Sequence, residues 1–444
     1  MGTPHPTLAA LPDPLPIEAA AGPLDADVRV PGSKSLTNRA LVCAALADGT
    51  SVLEGALFAD DTEAMVAVLR SVGLEVVTDP AGERITVTGG AGSLPASGAV
   101  IDVRQSGTTA RFALPLLAAG HGAYRVTAHR QMQARPMQTT FAALRSLGAG
   151  VDEQGGAGRL PATVTGGGLR SGLLRVPGDV SSQFLSGLLL VGPCLPDGLV
   201  IEVTTELVSR PYVELTIAVM EAFGASVEAL DRQTFSVAPG GYRSHTYVVE
   251  PDASAASYPL AAAAVCGGRV RVGGLTEAVH QGDVAFADVL SAMGAEVRRD
   301  ADGTEVRSRR GHLRGGTFDL THLSDTAQTL AVIAPFAAEP VSITGIGFIR
   351  GKETDRIVAV AAELERCGID VAIDDDGWTI SPGRPHGAVL RTYEDHRMAM
   401  SLALLGLAGP GIAISDPGCV AKTFPGYWRL LDELRSAPPA ATDL

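Results

Sequence analysis

Lysine is almost missing from this 444-residue chain: of 35 basic residues only Lys34, Lys352 and Lys422 are lysines, and the rest are arginine. Arginine fills the solvated positions, so a retained lysine points to a site that needs a compact, three-donor ammonium. Cysteine is sparse as well. Cys43, Cys194, Cys266, Cys367 and Cys419 form no CxxC pair and sit mostly in apolar or glycine-flanked segments, which argues against a disulfide framework and a zinc site and fits a reducing cytoplasm. Long hydrophobic runs are lacking: FLSGLLLVGPCL and PLAAAAVCGG are broken by Gly or Pro within about a dozen residues, short of a membrane span. There is no basic stripe of the kind a phosphate backbone requires, and the net charge is −14, so nucleic acid is not an expected partner. The opening MGTPHPTLAALPDPLPIEAAAG has neither a basic leader nor a sustained apolar core and reads as a loose tail over 1–15, so a cytoplasmic location is expected.

What is present is a repeat. Six versions of one unit recur at a period of about 70 residues, beginning at VRVPGSKSLTNRALVCAAL, VIDVRQSGTTARFALPLLAAG, LLRVPGDVSSQFLSGLLLVG, YVVEPDASAASYPLAAAAVCGG, TFDLTHLSDTAQTLAVIAPFA and AVLRTYEDHRMAMSLALLGLA. Each reads as strand, small-residue loop and apolar helix, then a second strand such as AYRVTAH or PVSITGIG and a more amphipathic helix. The first five run on into a further strand. The pattern predicts an α/β protein of six βαβαββ units in two similar domains of three, an organisation that a 46% hydrophobic chain of this length can support. The uniformly apolar first helices are expected to be buried on all sides, three at the heart of each domain. The boundaries fall near 32 and 251. Domain I comprises 1–32, the N-terminal strand included, with 252–444, and domain II comprises 33–251.

The loops before the apolar helices hold the chemistry-bearing residues: Lys34 with Arg39, Gly107 with Thr108, Ser181 to Gln183, Asp325, and His396 with Arg397. Helix N-termini brought together would favour anions through free N–H groups and dipole ends. Taken singly, serines and threonines there are more often plain N-caps. PGSKSLTNR resembles a phosphate loop but lacks the Walker pattern. KETDR places Lys352 and Arg356 four apart, on one face if helical, where like charges repel unless an anion, or Glu353 and Asp355, lies between them. QMQARPM offers Arg135, DHRMAM an arginine on an apolar helix that needs a counterion, and CVAKTFPGYW a loop lysine, Lys422. Asp325 is a candidate general base and Glu353 a candidate acid, with simple helix capping the competing reading of Asp325.

PGSKSLTNRAL, SGTTAR, QARP, VSSQFLSGLLL, LVSRPY, EPDASAASY, KETDRI, YEDHRMAM and AKTFPGY occur in one order that resembles the EPSP synthase family over residues 28 to 430. The sister enolpyruvyl transferases acting on UDP-N-acetylglucosamine are similar too, but KETDR and DHRMAM favour the shikimate family. The resemblance implies the enolpyruvyl transferase fold, an inside-out α/β barrel of parallel buried helices in each domain, with the active site in the cleft between domains. It implies that Lys34, Ser35, Arg39, Ser181, Ser182, Gln183, Ser209, Asp325 and Lys352 hold shikimate 3-phosphate. It further implies that Lys34, Gly107, Arg135, Gln183, Arg356, Arg397 and Lys422 hold phosphoenolpyruvate. Asp325, Glu353, Lys34 and Lys422 are the implied catalytic residues, in an addition and elimination that needs neither a metal nor an organic cofactor. The implied partners are these two small molecules, with no nucleic acid and no membrane, and a monomer is expected. Three residues depart from the family pattern: Phe348, where a polar residue often faces the shikimate moiety, and Gln105 and Phe112, which are more often Asn and Pro. Gly107 is retained, which implies inhibition by the analogue glyphosate.

Overall fold

The repeats are built from a parallel pair of strands beside a buried helix and, in the first five, an antiparallel pair reached through a second helix. The structure, a computed structural model, describes residues 8 and 10–436. Its contacts divide the chain into two compact units, Gly32–Glu250 on the one hand and Met1–Pro31 with Pro251–Leu444 on the other.

The Gly32–Glu250 unit shows the plan most plainly in its middle repeat. Gly98–Asp102 runs parallel to Ala123–Thr127 in the register Gly98 to Ala123. Parallel strands cannot be joined by a hairpin and need a crossover, which the Gly107–Ala119 helix supplies. Ala162–Thr165 then pairs antiparallel with both Ala123–Thr127 and Gly150–Glu153. The Gly172–Val176, Leu199–Val203, Thr234–Val237 and Val227–Ala229 strands repeat this order. The helices Lys34–Leu46, Gly107–Ala119 and Ser182–Val191 touch one another at the centre of the unit. Residues 36–46 and 107–118 are buried without a break, as helices apolar on every face require.

The second unit repeats the scheme around Ala253–Cys266, Ala327–Ile333 and His396–Ala408, all buried along their whole length and mutually in contact. Its second-position helices are one-sided. Arg356–Arg366, for example, buries Ile357, Ala359, Val360, Ala361, Glu363 and Leu364 and leaves Val358 half exposed.

One feature extends the repeat pattern and one departs from the sequence reading. The opening strands of the first and fourth repeats are exchanged: Leu24–Val28 pairs parallel with Gly268–Gly273 of the fourth repeat, and Thr246–Val248 pairs parallel with Thr50–Glu54 of the first. Both are short runs ahead of a small-residue loop, and Leu24–Val28 carries two Asp, which strands disfavour, so the local pattern carries no information about which sheet each joins. The tail expected over 1–15 is also partly docked. Leu15–Pro16 lies antiparallel to Ile412–Ile414, Leu8 is buried in the core, and Asp13 Oδ1 accepts from the Asp416 N–H at 3.0 Å. The last repeat's sheet has only two strands of its own, Ala388–Leu390 and Ile412–Ile414, and the N-terminal segment covers the edge this leaves. Residues 1–7 and 9 of that tail lie outside the described residues.

Candidate active site

In the Gly32–Glu250 unit the starts of the three central helices are stitched together by side chains. Ser33, Ser106 and Ser181 cap them, each accepting from a backbone N–H of the first turn, so the capping reading holds for these serines. Lys34 Nζ lies 3.5 Å from Asp61 Oδ2 with both side chains largely buried, while the Asp61 carbonyl accepts from Thr109 Oγ1 at 3.0 Å. Gln183 donates through Nε2 to Thr108 Oγ1 at 3.2 Å and accepts at Oε1 from Arg111 Nη1 at 2.7 Å. Arg135 is 6% exposed and crosses the start of the second helix so closely that a Cβ on Gly107 would stand 2.6 Å from its Nη1. A side chain there would require the Arg135 guanidinium to move. Ser182 and Ser209 are buried close to solvent, Ser209 in the left-handed region at φ 52.

Arg39 sits behind this surface. It is 1% exposed, and it donates to Thr216 Oγ1 at 2.8 Å, the Ser35 carbonyl at 2.9 Å, the Tyr212 carbonyl at 3.0 Å and Ser186 Oγ at 3.4 Å. Its guanidinium also lies over Phe112 at 5.2 Å. These partners are neutral, and burial lowers the guanidinium to about 10. A buried cation with neutral partners projects a positive potential toward its surroundings. Phe112, one of the departures from the family pattern, is thus a wall of the Arg39 site.

The other unit holds its cations differently. Arg356, 1% exposed, donates through Nε to Asp395 Oδ2 at 2.8 Å and through Nη2 to Glu353 Oε2 at 2.8 Å. Its Nη1 lies 3.7 Å from Asp325 Oδ1. Burial opposes the charge, but Asp395, Glu353 and Asp325 outweigh it and hold the guanidinium above its ordinary range. Arg397 donates to Asp325 Oδ2 at 2.6 Å and to the Asp325 carbonyl at 3.0 Å. Asp395 caps its own helix by accepting from the Arg397 N–H at 2.9 Å. Beside it, the buried His396 has Nδ1 3.5 Å from Asp395 Oδ1. Lys422 is buried at the end of the Pro417–Lys422 turn, and Lys352 Nζ lies 5.8 Å from the Phe348 ring centroid.

The helix expected to carry both Lys352 and Arg356 begins only at Arg356. Asp355 caps it by accepting from the Ile357 and Val358 N–H groups, both at 3.1 Å, so Lys352 lies in the turn before it and the two cations do not share a helix face. Glu353 pairs with Arg356, as the local-neutralisation reading anticipates, whereas Asp355 pairs with Arg350 at 3.1 Å. Asp61, Arg111 and Asp395 were not singled out in the sequence, although each touches a residue that was. For Arg111 the signal is a charge inside an otherwise apolar helix. Among the described residues no group of three or more His, Cys, Asp or Glu side chains is placed to hold a metal ion.

The family model described as EPSP synthase (3-phosphoshikimate 1-carboxyvinyltransferase) matches residues 19–431. A relative from Nostoc punctiforme named 3-phosphoshikimate 1-carboxyvinyltransferase is 44% identical over 417 residues, which is 94% of this chain and 98% of the relative. Among solved structures, EPSP synthase from Acinetobacter baumannii superposes with a TM-score of 0.80 at 26% identity, covering 94% of this chain and 97% of that one. The enolpyruvyl transferase NikO from Streptomyces tendae shares the fold, with a TM-score of 0.71 at 22% identity over 94% of this chain and 96% of its own. With its six repeats of one βαβα-based plan, its two α/β units and relatives matching nearly end to end, the chain belongs to the EPSP synthase family.

Proposed function

We propose that this chain transfers the carboxyvinyl group of phosphoenolpyruvate to the 5-hydroxyl of shikimate 3-phosphate, releasing phosphate and forming 5-enolpyruvylshikimate 3-phosphate, a step of aromatic amino acid biosynthesis. The observation that carries the reading is Asp325 held between Arg397 and Arg356 in a chain 44% identical to a 3-phosphoshikimate 1-carboxyvinyltransferase over 94% of its length.

Residues of both units act on one pair of substrates. Lys34, Ser35, Ser181, Ser182, Gln183, Ser209 and Lys352 bind shikimate 3-phosphate, with Arg39 contributing its charge from behind Ser35 and Asp325 receiving the hydroxyl. Lys34, Gly107, Arg135, Gln183, Arg356, Arg397 and Lys422 bind phosphoenolpyruvate, Gly107 by leaving room for Arg135. Two anionic substrates approach each other only where cations are dense.

Asp325 accepts the proton of the 5-hydroxyl as its oxygen bonds to C2 of phosphoenolpyruvate. C3 takes a proton from Glu353, Lys34 or Lys422. The tetrahedral intermediate then loses a C3 proton and phosphate, and the C2–C3 double bond re-forms in the enolpyruvyl ether. The protein works as a cytoplasmic monomer; among the described residues no helix is long and apolar enough to cross a membrane.

The test is phosphate release by the purified protein. Release that requires both substrates and is inhibited by glyphosate is the expected result. A folded protein that releases none would overturn the reading, and uninhibited turnover at saturating glyphosate would reject the inhibitor assignment alone.

A further inference from the structure

The turn leading to Asp395 is conformationally costly. Tyr393 and Glu394, neither of them glycine, lie consecutively in the left-handed region at φ 57 and 55. Two such residues in succession persist only where their surroundings over-determine them. The surroundings here centre on one carboxylate that the proposed chemistry does not use. Glu363 is fully buried, two helical turns beyond Arg356 on the Arg356–Arg366 helix. Its Oε1 accepts from the Tyr393 hydroxyl at 2.7 Å, and its Oε2 accepts from the Arg391 N–H at 3.0 Å and from Arg366 Nε at 3.0 Å.

One helix therefore grips one turn at two points. At its first residue, Arg356 holds Asp395. About 10 Å along the axis, Glu363 holds residues 391 and 393. Between these points the Asp395 N–H donates to the Thr392 carbonyl at 2.9 Å, closing the turn. Burial, and after it the Glu363 carboxylate, push the Tyr393 hydroxyl up to about 12, so at neutral pH it is a protonated donor throughout.

We infer that Glu363 and Tyr393 are positioning residues for the reaction: the clamp holds the strained 391–394 turn so that Asp395 stays seated on Arg356 and Arg397 stays directed at Asp325. The inference rests on the proposed function for its kinetic consequence but not for its structural one. Tyr393→Phe removes a single hydroxyl and leaves Glu363 with Arg391 and Arg366; Glu363→Gln removes one acceptor at nearly constant shape.

Two measurements on the full chain decide it. In hydrogen exchange, which needs no substrate, the amides of 391–397 are expected to exchange faster in both variants while those of the Gly32–Glu250 unit stay unchanged. In steady-state kinetics, KM for phosphoenolpyruvate is expected to rise about tenfold, inside the hundredfold that a 1 Å misplacement costs, with KM for shikimate 3-phosphate within a factor of about two. Unchanged exchange in Tyr393→Phe would overturn the clamp. Faster exchange with unaltered constants, or equal losses for both substrates that track a fall in Tm, would overturn its positioning role. Wild-type protein inactive with both substrates would count against the proposed function, and hydrogen exchange would still decide the clamp.

Discussion

Arg39 and Arg356 are both fully buried arginines serving the starts of central helices, in two units built on the same repeat, yet their partners differ in kind. Arg39 is surrounded by hydroxyls, carbonyls and aromatic rings, and burial lowers its guanidinium to about 10. Arg356 is surrounded by Asp395, Glu353 and Asp325, which raise it. The same scaffold thus supplies an uncompensated positive potential in one unit and a neutralised, rigid set of carboxylates in the other. The first suits binding of an anion. The second suits proton transfer, which needs carboxylates fixed in place.

The largest effects are expected from removing each arginine. Arg356→Met strands the fully buried Asp395, which is worth about 3–5 kcal/mol, and Tm in a thermal melt is expected to fall by on the order of 10 °C. Arg39→Met leaves only neutral groups unpaired, at a cost of about 1–3 kcal/mol, and Tm is expected to fall by about half as much. Equal losses would mean that the difference in partners has no energetic content.

A smaller effect is expected at Gly107. Its alanine variant places a methyl 2.6 Å from Arg135 Nη1, so the guanidinium must move. KM for phosphoenolpyruvate should rise about tenfold, equivalent to 1.4 kcal/mol, with KM for shikimate 3-phosphate little altered. An unchanged KM for phosphoenolpyruvate would remove Arg135 from the binding set.

The smallest effect concerns a carboxylate in the second unit with no arginine among its shift-determining neighbours. Partial desolvation of this exposed residue, then Asp13 and Glu394, raise the Asp416 carboxyl from 3.8 to about 6 against the lowering Thr392 hydroxyl. The folded chain therefore holds this proton more tightly than the unfolded one. The penalty for ionising it is absent below about 4, accrues between about 4 and 6, and is full above 6. Asp416→Asn should raise Tm at pH 8 by about 2 °C after solvent screening, with the gain vanishing toward pH 4. A gain independent of pH would point to packing rather than charge.

The repeat, the buried helices and the residues at their starts were legible because each is local: an apolar run, a small-residue loop, a serine cap. The pairing of the opening strands was not local: the boundaries at 32 and 251 group the first strand with residues 252–444, but the repeat pattern by itself does not say which sheet each opening strand joins. Arg39 read as a surface ligand because its partners Thr216 and Ser186 are 177 and 147 residues away. KETDRI read as one helix because its residues tolerate helix well, although Asp355 is itself a capping signal. Glu363 and Tyr393 carry no signal in the sequence, because only the fold brings the two together across 30 residues.

The most direct test of this division of labour is steady-state kinetics of Asp325→Asn beside Arg39→Met. Asp325→Asn is expected to lose kcat by about 10²–10⁴-fold, the usual worth of a general base, with KM for shikimate 3-phosphate within a few-fold. Arg39→Met is expected to keep kcat within a few-fold and raise KM for shikimate 3-phosphate about tenfold. Retention of kcat by Asp325→Asn, or a loss of kcat at constant KM in Arg39→Met, would contradict the account.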